Sequence, residues 1–153
     1  CNLIAFNHTS PFRQENFVEA KIIKSAIKIK LGLKSQLSLG NISAMKDFSH
    51  AKDVMNAAWM ILNHNKPDYF IIASGELHSI EEICEYTFKK LSINYADYIV
   101  YNLDNYRPND TTKIYGDTTK AKTILNWQST YTFYQILDEI IDFWMKKSGG
   151  ELI

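Results

Sequence analysis

The sequence predicts an α/β fold in a single domain that covers residues 1–153, and three observations support this prediction. Helical apolar patterns alternate with short strand-like apolar runs along the chain. Residues 69–73 are nearly all apolar, which is typical of a strand covered on both faces in a parallel sheet. A domain of about 150 residues also hides roughly 68–70% of its unfolded surface, which is enough to form a core.

A strand and a helix are predicted first. Residues 2–6 are expected to form a short buried strand, and Pro11 keeps the polar segment after it out of regular structure. A helix is predicted over residues 17–31, with Asn16 as its N-cap and Gly32 as its end. Its apolar stripe consists of Ile22, Ile23, Ala26 and Ile27.

A second strand and helix precede the apolar strand. Leucine alternates with serine at residues 37–39, as in a short strand, and a helix is predicted over residues 50–63. A proline-containing turn at residues 66–68 then leads into the apolar run. The buried face of this helix is expected to consist of Val54, Ala57, Ala58, Ile61 and Leu62.

Capping signals mark the later helices. The sequence contains two capping boxes. Ser79 with Glu82 opens a helix that ends near residue 91, and Thr132 with Gln135 opens the last helix of the chain. Between these two helices, the sequence predicts a strand at residues 98–101 and a short helix over residues 120–125 that Asp117 can cap. Gly149 is expected to end the last helix.

Charge and composition argue against several classes of function. The 17 basic residues are balanced by 17 acidic ones, so the chain lacks the basic excess that marks nucleic-acid binding. We expect no membrane span, because no run of about 18 apolar residues occurs. Cys1 and Cys84 are interpreted as free thiols in a reducing cytoplasm. With no Cys or carboxylate at ligand spacing from His50 or His64, we predict no metal site.

Several aromatic and basic residues are interpreted as structural. Trp59, Trp127 and Trp144 lie at helical positions or just after a helix, where core packing explains them better than base stacking. Lys24 and Lys28 are interpreted as a solvated basic helix face. The chain begins with an apolar strand and no methionine, from which we expect a piece of a longer protein.

Six sequence blocks carry a family resemblance. They are Phe-Asn-His-Thr-Ser-Pro-Phe-Arg at 6–13, Phe-Val-Glu-Ala-Lys-Ile at 17–22, Leu-Gly-Asn at 39–41 with Lys-Asp-Phe at 46–48 and His-Ala-Lys-Asp at 50–53, Ala-Ser-Gly-Glu-Leu-His-Ser at 73–79, Tyr-Arg-Pro at 106–108, and Gly-Asp-Thr-Thr-Lys-Ala at 116–121 with Leu-Asn-Trp at 125–127. In order and spacing they resemble the GDP-mannose 4,6-dehydratase family of extended short-chain dehydrogenases/reductases.

The resemblance implies the C-terminal, substrate-binding part of a Rossmann-type fold, with the last strands of its parallel sheet. The family converts GDP-mannose to GDP-4-keto-6-deoxymannose with NADP, a lyase reaction that belongs to GDP-fucose biosynthesis. The N-terminal part, with the glycine-rich loop and the catalytic Tyr-x-x-x-Lys pair, is absent here. The chain is therefore expected to contain no catalytic residue and to be inactive alone, and the full-length enzyme is expected to be a homo-oligomer. Tyr86 and Lys90 have the catalytic spacing but are interpreted as an ordinary i, i+4 helix pair.

The resemblance also assigns seven site residues. His8 and Arg13 match positions that contact NADP. Lysine suits a phosphate as a point charge and arginine can bind two oxygens at once, and Asn7, Lys21 and Arg107 are expected to converge on one pyrophosphate-sized anion. The residues that match substrate positions are Asn7, Lys21, Lys46, Arg107 and Asp110.

Four positions depart from the family pattern. Lys46 and Phe12 stand where the family has arginine, and Thr9 and Asp110 stand where it has glutamate. These changes are compatible with a different hexose or heptose, a different nucleotide, or relaxed selection on a broken gene. An alternative function therefore remains open, in which the chain is a non-catalytic fragment or a split-enzyme subunit that only binds nucleotide sugar or has a structural role.

Overall fold

Parallel strand pairs and α-helices make up the computed structural model, which describes residues 1–102 and 113–150. This architecture confirms the predicted α/β class. In chain order the elements are β1 (Asn2–Ala5), β2 (Asn7–Thr9), α1 (Val18–Lys30), β3 (Leu37–Leu39), β4 (Met45–Lys46), β5 (Phe48–His50), α2 (Ala51–Leu62), β6 (Tyr69–Ile72), β7 (His78–Ser79), α3 (Ile80–Lys90), a 3₁₀ turn (Tyr95–Asp97), β8 (Ile99–Tyr101), β9 (Lys113–Ile114), α4 (Thr119–Leu125) and α5 (Phe133–Gly150).

The strands pair over long sequence separations. β1 runs parallel to β6, β2 to β5 and β3 to β8, while β4 lies between an antiparallel β7 and a parallel β9. Because β1 and β6 are parallel, their carboxyl ends lie at one edge of the sheet. In open α/β sheets this is the edge at which ligands bind.

A strand forms within residues 2–6, but the prediction that this strand is buried is wrong. Within the described part of the chain β1 is paired on one side only, and 46% of Ile4 is exposed. The prediction that the next apolar strand is covered on both faces is only half right. Phe70 and Ile72 of β6 are fully buried, but 56% of Tyr69, the first residue of the strand, is exposed.

The boundaries of helix α1 depend partly on local sequence signals and partly on tertiary contacts. The four predicted stripe residues are completely buried, and Gly32 ends the helix with a φ of +72°. The N–H of Leu33 there donates to the carbonyl of Lys28, as in a Schellman cap. Asn16 is not the N-cap, contrary to prediction. Phe17 takes that position without a side-chain cap, and its ring packs under Arg13.

Two hydrophobic clusters form the core. The larger joins α1, α3 and α5 over β3, and the smaller joins α2, α4 and β6 around Trp127. Trp127 is fully buried as predicted, and its indole N–H donates to the carbonyl of Asp53 at 3.1 Å. Trp59 and Leu62 are instead 66% and 79% exposed, and the buried residues of α2 are Asp53, Val54, Ala57 and Ile61. Trp59 therefore does not pack in the core.

Both predicted capping boxes form. Ser79 accepts from the N–H of Glu82 at 3.0 Å, and the Glu82 carboxylate accepts from the N–H of Ser79 at 2.6 Å. The Thr132 and Gln135 side chains exchange the same pair of bonds at the start of α5. Gly149 does not end α5, which continues to Gly150.

Replacing Ser79 by alanine is expected to lower the free energy of unfolding by about 1 kcal/mol, because the first turn of α3 loses its side-chain acceptor. Urea unfolding followed by circular dichroism measures this change. Glu85→Gln is the matched control, since Glu85 lies exposed on the same helix and should change stability by less than about 0.5 kcal/mol. Equal stability of the Ser79→Ala variant and the wild type would contradict the role of the cap.

Residues 1–102 and 113–150 contain neither a membrane-spanning helix nor a cluster of metal ligands. None of the helices there is both long and apolar enough to cross a bilayer. No group of His, Cys, Asp and Glu side chains in residues 1–102 and 113–150 could hold a metal ion. Both cysteines carry free thiols, and burial raises the pKa of Cys84 to about 12, so this thiol is unreactive.

Candidate functional site

A cavity of about 420 Å³ lies where β1 passes into β2, at the carboxyl edge of the β1–β6 pair. Its volume is within the range of small-molecule sites, roughly 300–1,000 Å³. Its position is the one at which open α/β sheets bind ligands. The cavity is lined by Ala5, Phe6, Asn7, His8, Arg13, Lys46 and Ile114.

Four of the predicted site residues meet in this cavity. Asn7 and His8 come from β2, Arg13 from the loop after it, and Lys46 from β4. Two cations and an imidazole therefore face one space, although Lys46 is 33 or more positions from the others in sequence. Such a lining suits an anionic ligand with phosphoryl groups.

Of the remaining predicted site residues, the structure describes only Lys21, which does not line the cavity. Lys21 projects from α1, and its ammonium donates to the carbonyl of Ser38 in β3 at 2.7 Å. Arg107 and Asp110 lie outside the described residues. The predicted convergence of Asn7, Lys21 and Arg107 on a single pyrophosphate therefore stays a prediction.

His8 and Arg13 are held by defined contacts. The Nδ1 atom of His8 lies 2.9 Å from the carbonyl oxygen of Phe6, and an N–H at this atom can donate to that oxygen. The guanidinium carbon of Arg13 lies 3.3 Å from the centre of the Phe17 ring, a cation–π contact. Both side chains are thus oriented before any ligand binds.

Glu19 is a site-proximal residue that the sequence did not single out. It lies in the first turn of α1, is 4% exposed, and places Oε1 3.5 Å from the Nε atom of Arg13. Burial raises the pKa of Glu19, while the nearby charges of Arg13 and His8 and the hydroxyl of Thr9 oppose that rise. Thr9 occupies the position where the family resemblance implies a glutamate, and the Glu19 carboxylate approaches Arg13 from α1.

The loop that carries Arg13 is anchored on the last helix. The indole N–H of half-buried Trp144 donates to the carbonyl of Pro11 at 2.9 Å, and Phe12 packs edge-on against Phe143. Trp144 also stacks against Lys24, whose ammonium lies 4.0 Å from the ring centre. The interpretation of Lys24 as solvated is therefore wrong: the residue is 9% exposed, and this burial lowers its pKa.

Asp47 forms the scaffold behind the cavity. This residue follows Lys46 directly and is completely buried. Its carboxylate accepts bonds from the N–H and hydroxyl of Ser74 at 2.7 and 2.6 Å and from the N–H of Gly75 at 2.8 Å. A longer contact of 3.4 Å reaches the N–H of Gly116. One carboxylate thus joins β4, the loop after β6 and the segment after β9.

The geometry supports a structural role for Tyr86 and Lys90. Both side chains project from α3 and donate to the Asp138 carboxylate on α5, with the Tyr86 hydroxyl at 2.7 Å. Burial and the adjacent carboxylate raise the pKa of Tyr86 to about 12. A catalytic tyrosine needs the opposite shift to act near neutral pH. The pair therefore fastens two helices together.

Comparison with known proteins links these features to one family. The family model described as "GDP-mannose 4,6 dehydratase" matches residues 1–140. GDP-mannose 4,6 dehydratase 2 of Arabidopsis thaliana is 38% identical over 142 residues, which are 93% of this chain and 38% of that protein. The human GDP-mannose 4,6 dehydratase is 36% identical over 92% of this chain and 42% of its own length. The chain thus spans about two fifths of these curated relatives.

A solved structure shows the same fold. RMD from Pseudomonas aeruginosa, complexed with NADPH, superimposes with a TM-score of 0.84 at 25% identity. The match covers 95% of this chain and 48% of that chain. The predicted Rossmann-type fold of an extended short-chain dehydrogenase is therefore confirmed for this part of the protein.

Proposed function

This chain belongs to the GDP-mannose 4,6-dehydratase family, and from that premise we propose that it forms the substrate-binding part of an enzyme that converts GDP-mannose to GDP-4-keto-6-deoxymannose. The observation that carries the proposal is the cavity in which Asn7, His8, Arg13 and Lys46 meet. These residues lie in the sequence blocks that resemble the family. Their charge suits the diphosphate of a GDP-hexose and the phosphates of a dinucleotide.

NADP fits this lining as the cofactor. His8 and Arg13 would hold its phosphates from this chain, because both are oriented toward the cavity by contacts with Phe6 and Phe17. The nicotinamide, when bound, supplies the hydride chemistry, and the protein binds and orients the sugar against it. We expect the main cofactor site and the catalytic groups to come from the rest of the family's length.

Substrate binding is assigned to Asn7 and Lys46 in the cavity and to Lys21 on α1. Arg107 and Asp110 complete the proposed set from outside the described residues. Lys46 binds a phosphate as a point charge and does not form the two-pronged contact of an arginine, so we expect a single oxygen contact from this position. Contacts with the diphosphate, which lies far from the reacting carbons, hold and orient the hexose. We further propose that the complete enzyme is a cytoplasmic homo-oligomer.

Lys46→Gln is expected to weaken GDP-mannose binding by about tenfold, because one charge–phosphate contact contributes on the order of 1.4 kcal/mol. Isothermal titration calorimetry of the 153-residue chain measures the affinity. Lys46→Arg should keep the affinity within about threefold. Lys66→Gln is the matched control, since Lys66 is exposed on the turn before β6.

Two results would overturn the proposal. One is equal binding of GDP-mannose to the wild type and to Lys46→Gln. The other is equal affinity for GDP-mannose and for UDP-glucose, because a GDP-mannose site must distinguish the guanine base and the sugar. Loss of binding in the Lys66→Gln control would assign the lysine effect to general surface charge and would also count against the cavity.

A further inference from the structure

A buried carboxylate lies directly behind the cation that Arg13 presents to the cavity. We propose that Glu19 weakens the binding of phosphoryl anions in this cavity near neutral pH, and that protonation of Glu19 relieves this effect. Glu19 acts through Arg13 and does not itself line the cavity. The inference rests on the proposed function only in treating the cavity as an anion site.

Glu19 and Arg13 interact through their charges and do not form an aligned hydrogen bond. The Nε atom of Arg13 is buried and has no aligned hydrogen-bond partner within the described part of the chain, although Oε1 of Glu19 lies 3.5 Å away. The Glu19 side chain is 5% exposed and the Arg13 side chain 25% exposed. Water therefore screens this pair poorly, and the negative charge reduces the field that Arg13 directs into the cavity.

Orientation of Arg13 does not depend on Glu19. The guanidinium rests on the Phe17 ring at 3.3 Å, and the backbone N–H of Arg13 donates to the carbonyl of Ser10 at 3.0 Å. Trp144 holds the same loop through Pro11. These contacts remain when Glu19 is neutral. Any change in anion affinity on protonation of Glu19 therefore comes from the loss of its charge and not from a change in the orientation of Arg13.

The charge of Glu19 is linked to pH and to the ligand. Burial raises the pKa of Glu19 above its ordinary value, and the charges of Arg13 on the loop and His8 on β2 oppose this rise. An anion bound beside Arg13 and His8 adds a negative charge and raises the pKa of Glu19 further. Anion binding therefore takes up a proton at Glu19, and affinity increases as pH falls through the range in which Glu19 protonates.

Other titratable groups face the same space and must be separated from Glu19. His8 on β2 and Lys46 on β4 also line the cavity and can contribute to anion binding. His8 and Lys46 are unchanged in a Glu19 variant. The difference between the pH profiles of wild type and variant therefore reports Glu19.

Sulfate is a suitable anion for the test because its charge does not change between about pH 5 and 8. Binding to the 153-residue chain is followed through the Arg13 Nε–H resonance by ¹⁵N NMR. We expect Glu19→Gln to bind sulfate about tenfold more tightly than the wild type at pH near 7.5, since one poorly screened charge is removed. Its affinity should also rise less as the pH falls. Glu15→Gln is the matched control, because Glu15 is half-exposed and pairs with Lys28 outside the cavity.

Further variants separate the possible failures. In an Arg13→Gln background, Glu19→Gln should change the sulfate affinity by less than about twofold if Glu19 acts through Arg13. Glu19→Asp keeps the charge and should keep the pH dependence, which provides a second variant if Glu19→Gln does not fold. If the wild type binds sulfate, and Glu19→Gln binds it with the same affinity and the same pH profile, this inference alone is overturned. Absence of sulfate binding to the wild-type cavity overturns the inference and the proposed function together.

Discussion

Replacing Asp47 by alanine is expected to lower the free energy of unfolding by about 4 kcal/mol, the largest effect of any single change considered in this protein. The substitution removes the acceptor of four hydrogen bonds from Ser74, Gly75 and Gly116. The hydrogen bond of the Gly116 N–H is buried, so the loss of its partner is costly. Lys46 is the adjacent residue, so the cavity should lose anion affinity as well.

Urea unfolding of the purified chain tests this expectation. Asp47→Asn keeps the shape and one carbonyl acceptor but turns an NH₂ toward backbone donors, so we expect a smaller loss of about 2 kcal/mol. Asp97→Ala removes an exposed aspartate and should stay within about 0.5 kcal/mol of the wild type. A loss below about 1 kcal/mol for Asp47→Ala would show that the carboxylate does not hold these three segments together.

Replacing Gly116 by alanine is expected to cost about 3 kcal/mol. A Cβ atom at this position would lie 2.5 Å from the Cβ of Ala73, 3.0 Å from Ile71 and 3.1 Å from the ring of Phe6. The Cβ of Ala73 is fixed to the backbone and cannot rotate away, so the segment after β9 must shift. Because Phe6 lines the cavity, the shift should also disturb the site.

The same substitution at another glycine provides the control. Gly149 lies in α5 with nothing within 4 Å of a Cβ atom, so Gly149→Ala should be neutral or stabilise the chain by about 0.5 kcal/mol. In thermal unfolding, Gly116→Ala should thus lower the melting temperature, and Gly149→Ala should leave it unchanged or raise it slightly. Equal melting temperatures for the two variants would refute the close contact at Gly116.

Local signals predicted the helices well because they depend on neighbouring residues. The capping boxes at Ser79 and Thr132 and the glycine stop at Gly32 each involve groups within a few positions of one another. Asn16 failed as a cap for a tertiary reason, since Phe17 takes the N-cap position while its ring packs under Arg13. Gly149 failed as a stop, since α5 continues through it to Gly150.

The candidate site was predicted in part. Family motifs indicated Asn7, His8, Arg13 and Lys46, and these four share the cavity lining. They did not indicate Glu19, because an acidic residue in the first turn of a helix is common and its burial is invisible in the sequence. The contact of Lys21 with a backbone carbonyl could not be foreseen either, because it joins α1 to β3.

The sequence by itself determined the α/β class, most helix boundaries and the family. These follow from periodicity, capping pairs and ordered motifs, which are properties of short segments. Only the tertiary structure decided which charges are buried and what they hold: Asp47 reaches Ser74 and Gly116 across 27 and 69 positions, and Glu19 lies behind Arg13. The physical reason is that burial and charge pairing depend on distances through space, which periodicity along the chain does not encode.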